Sequence, residues 1–203
     1  MLGRVLEIRP RVDTERFAAQ LNETYRLRSR IFNQCLRWDT RSSGGLEKDP
    51  YDECFPHYLI SIDEYDRING CLRMMPTTGR CMMKEQLLEL FGEFSPPASG
   101  SEWELSRFIA HDDCGADAGQ ASIGHCSHDL ITAAIHFAMK HGISRYIAAV
   151  TPELFGNLNR MGLKMQPYTD EYVCLPGGVA ARGIYVDVDA QDLFFSKRCV
   201  RHL

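Results

Sequence analysis

Arg28, Phe32 and Trp38 stand four and six residues apart near the end of a stretch with helical spacing, ringed by Arg26, Arg30, Arg37 and Arg41. Side chains so spaced could set a guanidinium and two rings around one pocket. Two aromatic faces suit a purine ring or a sulfonium cation; the competing reading makes Phe32 and Trp38 core and the arginines solvated. A second group, Glu47, Asp49, Asp52 and Glu53, shares a loop with Tyr51. Carboxylates at that density repel one another or bind something positive, an amine, an arginine or a metal; a solvated acidic loop is the ordinary alternative. The third group is the run Trp103, Glu104, Leu105, Ser106, Arg107, Phe108, inside an alternating stretch that reads as a central strand. Charge inside a central strand is expensive unless paired or functional, and Arg73 repeats the anomaly within the apolar run 71–75. Residues three apart on a regular strand face opposite sides, so Glu104 and Arg107 share a site only if a bulge re-aims one of them.

The elements that must position these groups follow from hydrophobic spacing. Residues 13–36 carry Phe17, Leu21, Tyr25, Ile31, Phe32 and Leu36 at near-helical intervals, an amphipathic arm with room for one break. Residues 37–53 are polar and glycine-bearing, long for a connection inside a compact domain, and so a candidate substrate loop. The apolar runs 58–62 and 68–75 suit two antiparallel strands. Residues 123–141 place Leu130, Ile131, Ala134, Ile135, Phe137 and Ala138 on one broad face, with Gly142 as the stop. A strand over 145–150, a helix over 152–160 with Pro152 in its first turn, and a strand over 183–188 complete the pattern. Residues 95–101, rich in Pro, Ser and Gly, read as an internal loop. Strands followed by strand, helix, strand, helix, strand predict an α/β sandwich with a mostly antiparallel front half.

Composition narrows the function classes. The 203 residues, 44% of them hydrophobic, are enough for one domain, 1–203, with a substantial core. A net charge of -4 leaves no basic excess for nucleic-acid phosphates, so no nucleic-acid partner is expected. No apolar run approaches the roughly 20 residues that cross a bilayer, and the N-terminus lacks a secretory pattern, which predicts a cytoplasmic protein with no membrane partner. The eight cysteines are scattered without a C-x-x-C pair and read as reduced thiols. A metal site would have only His125, Cys126, His128 and Asp129 to draw on, with no second cysteine pair to close the cage, and none is expected.

With these groups in view, the sequence resembles the acyl-homoserine-lactone synthases, the autoinducer synthases of bacterial quorum sensing. The resemblance runs through YRLRSRIFNQCLRW at 25–38, EKDPYD at 47–52, NGCLRMMPTTG at 69–79 and WELSRF at 103–108, in matching order and spacing. It covers essentially the whole chain and is weaker after residue 110. It implies a three-layer α/β/α sandwich with a mixed central sheet, similar to the N-acetyltransferase fold. The implied reaction acylates S-adenosylmethionine from acyl carrier protein or acyl-CoA and closes the lactone, releasing 5'-methylthioadenosine. S-adenosylmethionine is then a substrate, and no cofactor is expected.

The resemblance places the essential polar set on Arg28, Asp49, Asp52, Arg73, Glu104 and Arg107, with Phe32, Trp38 and Phe108 as aromatic members. On this reading Glu104 is the base that takes the proton from the α-amino group as it attacks the thioester. Backbone amides near Ser106, or the guanidinium of Arg107, stabilise the oxyanion. Lactonisation is intramolecular, because the substrate carboxylate displaces methylthioadenosine from its own γ-carbon, and the protein need only fold it into attack geometry. Phe32 and Trp38 hold the adenosine-sulfonium end, while Arg28, Asp49, Asp52 and Arg73 form a charged lattice. The acyl pocket falls on Ala148, Val150, Thr151, Leu154 and Leu158. Ala148 stands where producers of 3-oxo-acyl lactones often carry threonine, which implies donors without the 3-oxo group. Lys140, Arg145, Arg160 and Lys164 are the candidate landing patch for an acidic carrier protein.

Two rivals remain. A coenzyme A dependent N-acyltransferase would share the sandwich, but its pyrophosphate turn at a helix N-terminus is only approximated, one residue out of step, by Gln120-Ala-Ser-Ile-Gly. A non-enzymatic binding module would keep the fold and have no use for Glu104.

Overall fold

In chain order, strand β1 (Arg4–Ile8) leads to helix α1 (Ala18–Arg28), which continues as a π-helical stretch over Ser29–Cys35. A small hairpin, β2 (Ser42–Ser43) and β3 (Leu46–Glu47), precedes a 3-10 turn, Pro50–Glu53. Next come β4 (His57–Ile62), β5 (Ile68–Pro76), the short α2 (Met82–Glu85) and β6 (Glu102–Ala110). The second half runs α3 (His125–His141), β7 (Arg145–Val150), α4 (Pro152–Arg160), β8 (Gln166–Pro167), β9 (Val173–Leu175), β10 (Val179–Asp187) and β11 (Arg201–His202). The computed structural model describes residues 4–87, 98–111, 124–168, 170–175 and 178–190, and the backbone of 201–202.

All strands but the β2–β3 hairpin form one mixed sheet, ordered β11-β1-β4-β5-β6-β7-β10-β8, with β9 also on β10. The β6–β7 and β1–β11 pairs are parallel and the other pairs antiparallel. The period-2 alternation of strands gives the sheet two apolar faces, which is why helices lie on both. On one face Leu59, Leu72, Met74, Tyr146 and Ile184 pack against Leu130, Ala134 and Phe137 of α3 and Leu158 of α4. On the other, Leu6, Ile8, Tyr58 and Ile60 pack under Leu21 and Tyr25 of α1, and Cys71 and Ile109 under Leu27 and Phe32. This is the expected α/β/α sandwich.

The strands expected at 58–62, 68–75 and 145–150 and the helix at 152–160 are present. The helical arm is not broken; it widens into the π-helical stretch. Helix α3 ends at Gly142, whose φ of 67° is the left-handed conformation that glycine adopts without a Cβ penalty. The last core strand is longer than its apolar run, since β10 begins at Val179. Strand β1 had no clean signal, because Val5, Leu6 and Ile8 are all buried and their alternation is lost. Residues 95–97 of the proline-rich loop and 120–123 of the turn before α3 lie outside the described residues.

Candidate active site

Two features of β6 build the site. Arg73 of β5 pairs with Ser106 and Cys71 with Ile109, so three steps on β6 oppose two on β5. The extra residue is a bulge, and Arg107 takes it up with a φ of 56°. The bulge turns Arg107 to the α1 face, which Glu104 and Ser106 already share, and leaves Phe108 packed on the α3 face. The second feature is a splay. Strands β6 and β7 pair only from Glu102↔Arg145 to Glu104↔Ile147 and then part, although both continue. Glu104 therefore stands at the vertex where the two strands diverge.

On the same face of the sheet three arginines and three carboxylates close a ring of alternating charge. Arg28 donates to Glu47 and, with two parallel bonds of 2.8 Å, to Asp52. Arg73 donates to Asp52 at 2.9 Å and to Asp49 at 2.6 Å. Arg107 lies 2.7 Å from Asp49 and 3.0 Å from Glu47. Each arginine bridges two carboxylates and each carboxylate meets two arginines, so the ring is neutral as a whole. Charges this deep are tolerated only when so paired. The Asp49–Asp52 edge is set locally: Asp49 caps the 3-10 turn and Asp52 accepts a bond from the Asp49 backbone N–H at 2.8 Å, a capping box with Pro50 behind it. The supposed substrate loop is thus pinned into the site at its C-terminal half. Side-chain exposure is 0% at Arg28, Arg73 and Glu47 but 15% at Arg107 and 8% at Asp49, so only the Arg107–Asp49 corner faces outward.

Beside that corner, Phe32 and Trp38 stack with centroids 5.2 Å apart and an interplanar angle of 8°. Arg37 makes this possible: in the left-handed region at φ 55°, it turns the chain so that the Trp38 N–H reaches the Phe32 carbonyl at 2.8 Å. The Asn33 amide ties the returning strand through Trp38 and Thr40. The Arg107 guanidinium lies 5.7 Å from the Phe32 ring centroid, joining ring and stack.

Glu104 stands apart from the charge ring. It is fully buried; one oxygen accepts the Met83 backbone N–H at 2.7 Å, and Oε1 has no hydrogen-bond partner among the described residues. Burial first, then the charge of Glu104, pushes the neighbouring Cys81 thiol up to about 12, so that sulfur stays protonated and inert. One register step away on the same face, Arg73 donates through Nε to Ser106 at 3.0 Å and leaves Nη2 without a partner. A buried acceptor and a buried donor, both unused, flank the vertex.

The structure separates the remaining predicted residues. Ala148, Val150, Leu154 and Leu158 gather on the α3 face, across the sheet from Glu104, and the Thr151 hydroxyl caps α4 by accepting the Leu154 N–H. The proposed landing residues are already engaged where described: Arg145 by Asp187 and Glu102, Lys140 by Glu7, and Arg160 by Asn157. Glu53 is exposed and outside the ring. Among the described residues no group of three or more His, Cys, Asp or Glu could hold a metal, and no helix is long and apolar enough to cross a membrane. The sequence reading missed two participants: Glu47, noted only as part of an acidic loop, and Tyr58, whose hydroxyl donates to Asp52. The signal for Tyr58 was its alternation toward the α1 face on β4.

The ring predicts a pH dependence. Burial alone would raise the Asp52 carboxyl, but hydrogen bonding and charge from Arg28, with Arg73 and Tyr58, outweigh it and hold the group below the usual carboxylate range. A depressed carboxylate contributes stability that is full above the unfolded value, near 3.9, and is lost as pH falls through the folded one. Urea midpoints between pH 5 and 2.5 should therefore fall less steeply for Asp52→Asn than for the native chain, although the variant is weaker at pH 5. Parallel curves would mean that Asp52 is not held ionised by the ring.

Residues 13–179 match the autoinducer synthase family. The acyl-homoserine-lactone synthase of Vibrio anguillarum is 29% identical over 164 residues, 81% of this chain and 84% of its own. Among solved structures, the CoA-dependent acyl-homoserine lactone synthase BjaI, with SAM and isopentyl-CoA, superposes with a TM-score of 0.81 at 22% identity, covering 99% of this chain and 93% of its own. A putative N-acetyltransferase from Lactobacillus plantarum gives 0.57 at 14% identity, covering 91% and 99%, which places the sandwich in that wider fold. The chain belongs to the autoinducer synthase family and is an acyl-homoserine-lactone synthase, an acyl-transferring enzyme.

Proposed function

We propose that the site at Glu104 binds the amino-acid end of S-adenosylmethionine and acylates its amine. The observation that carries this reading is the unused pair at the vertex. Arg73 Nη2 complements a carboxylate and Glu104 Oε1 an ammonium, as an α-amino acid requires. Glu104 takes the ammonium proton, the freed amine attacks the thioester carbonyl, and as the C–S bond breaks the leaving thiolate takes up the second amine proton, giving the amide and the free thiol. On this reading Arg107, at the outward corner, or backbone amides near Ser106 stabilise the oxyanion of the tetrahedral intermediate. The Phe32–Trp38 stack then holds the sulfonium and adenosine, which fixes the γ-carbon for displacement by the substrate's own carboxylate.

The acyl chain, on this proposal, crosses the splay to Ala148, Val150, Leu154 and Leu158, so the two substrates meet from opposite faces of the sheet at the vertex. The donor is an acyl carrier protein or an acyl-CoA, and a panel of both, each with 3-oxo and unsubstituted chains of equal length, tests it. Turnover with unsubstituted donors supports the Ala148 reading, and faster turnover of 3-oxo donors overturns it. Trp38→Ala should raise the KM for S-adenosylmethionine about tenfold, the loss of one ring's stacking and cation–π contact. An unchanged KM would return Trp38 to a packing role.

A further inference from the structure

We propose that Tyr168, seated in a notch that only a glycine at position 183 leaves open, is a positioning residue for Glu104. A Cβ built on Gly183 would fall 1.7 Å from Tyr168 Cζ and 2.2 Å from its hydroxyl oxygen, so the tip of the ring occupies the space that any other residue would fill. Gly183 pairs with Ala149 of β7, and the Tyr168 backbone N–H donates to the Gly183 carbonyl at 3.1 Å, which locks strand and ring in register. The Tyr185 ring supports Tyr168 at 5.0 Å between centroids.

From that seat Tyr168 reaches across the β7 side of the splay to α2, where its hydroxyl lies 3.9 Å from Met83 Sδ. Met83 is the residue whose backbone N–H fixes one oxygen of Glu104. Tyr51, Met83, Cys81 and Ile147 form one apolar cluster, and Tyr168 packs against it. The chain of contact therefore runs from Gly183 through Tyr168 and Met83 to the carboxylate, and its effect is to hold the Glu104 carboxylate in place at the vertex. Burial first, then Tyr185 and Glu104, pushes the phenol well above its ordinary value, so Tyr168 serves as a neutral brace and not as a proton donor.

The proposal rests on Glu104 acting as the base, and its test separates the two. Tyr168→Ala should lower kcat ~10–100-fold, the order of loss a misplacement of about 1 Å produces, with the KM for S-adenosylmethionine nearly unchanged. Gly183→Ala expels the ring and should give the same loss. The double variant should be no worse than Tyr168→Ala, because glycine acts only through the ring. Tyr168→Phe, which keeps the ring, should stay within about threefold of the native kcat. A general loss of folding would instead lower the active fraction of all variants in step with their thermal stability, and Phe would not separate from Ala. Native kcat in Tyr168→Ala, or additive losses in the double variant, would overturn the proposal. If Glu104→Gln itself retains turnover, the reading of the base fails; if Glu104→Gln is inactive while Tyr168→Ala is not, only the brace fails.

Discussion

Glu104→Gln is expected to lower lactone formation by about 10²–10⁴-fold, the usual contribution of a positioned general base, while the variant folds as the native chain does. The substitution nearly preserves shape, and the amide oxygen can still accept the Met83 N–H at the position of Oε2. What changes is the unpartnered oxygen: an amide NH2 donates where Oε1 would accept the ammonium proton. Glu104 is not a member of the charge ring, so its neutralisation leaves the three arginines and three carboxylates balanced. Turnover measured at saturating S-adenosylmethionine, with near-ultraviolet dichroism on the same sample, checks both halves. Native turnover would remove Glu104 as the base and leave the unused pair at the vertex without a role.

The second large effect is on stability. Arg28→Met leaves Glu47 and Asp52 facing one another with one cation fewer, and breaking one partner of a buried pair costs about 3–5 kcal/mol. For a chain of this size that lowers Tm by about 6–20 °C. The prediction concerns the loss of a partner and not the net worth of the ring, since fully apolar replacements of buried ion pairs are often neutral. Arg107→Met, at the corner with 15% exposure, should cost less stability and more activity, because water can reach Asp49, one of the two carboxylates it leaves behind, and Glu47 keeps Arg28. Thermal melts of both variants decide this, and a smaller shift for Arg28→Met than for Arg107→Met would contradict the assignment of interior and corner.

The ring also shows what could be read from the sequence and what could not. Arg73, Glu104 and Arg107 announced themselves as charges inside apolar strands, and the stack was visible in the spacing of Phe32 and Trp38. Spacing also required a bulge if Glu104 and Arg107 were to share a face. It could not say which residue the bulge turns, and because Arg107 takes the extra position, Phe108 lies on the α3 face, opposite the face that carries Phe32 and Trp38. Glu47 looked like one of several solvated acids. Its burial follows from contacts 19 residues back to Arg28 and 60 residues on to Arg107, which no local pattern encodes. Element positions followed from hydrophobic period wherever one face alone is buried. Strands β4 and β5, buried on both faces, showed instead as apolar runs; β1, also buried on both faces, has its run cut by Glu7, and β8 and β9 are too short to show a period.

The most direct measurement is to incubate purified protein with S-adenosylmethionine and an acyl donor it accepts, and to quantify 5'-methylthioadenosine and N-acyl-homoserine lactone together by chromatography with mass detection. A site that acylates the amine at Glu104 and holds the sulfonium against Phe32 and Trp38 should release the two products in equal amounts. Acylated S-adenosylmethionine accumulating without methylthioadenosine would contradict it, and would describe an N-acyltransferase built on the same sandwich.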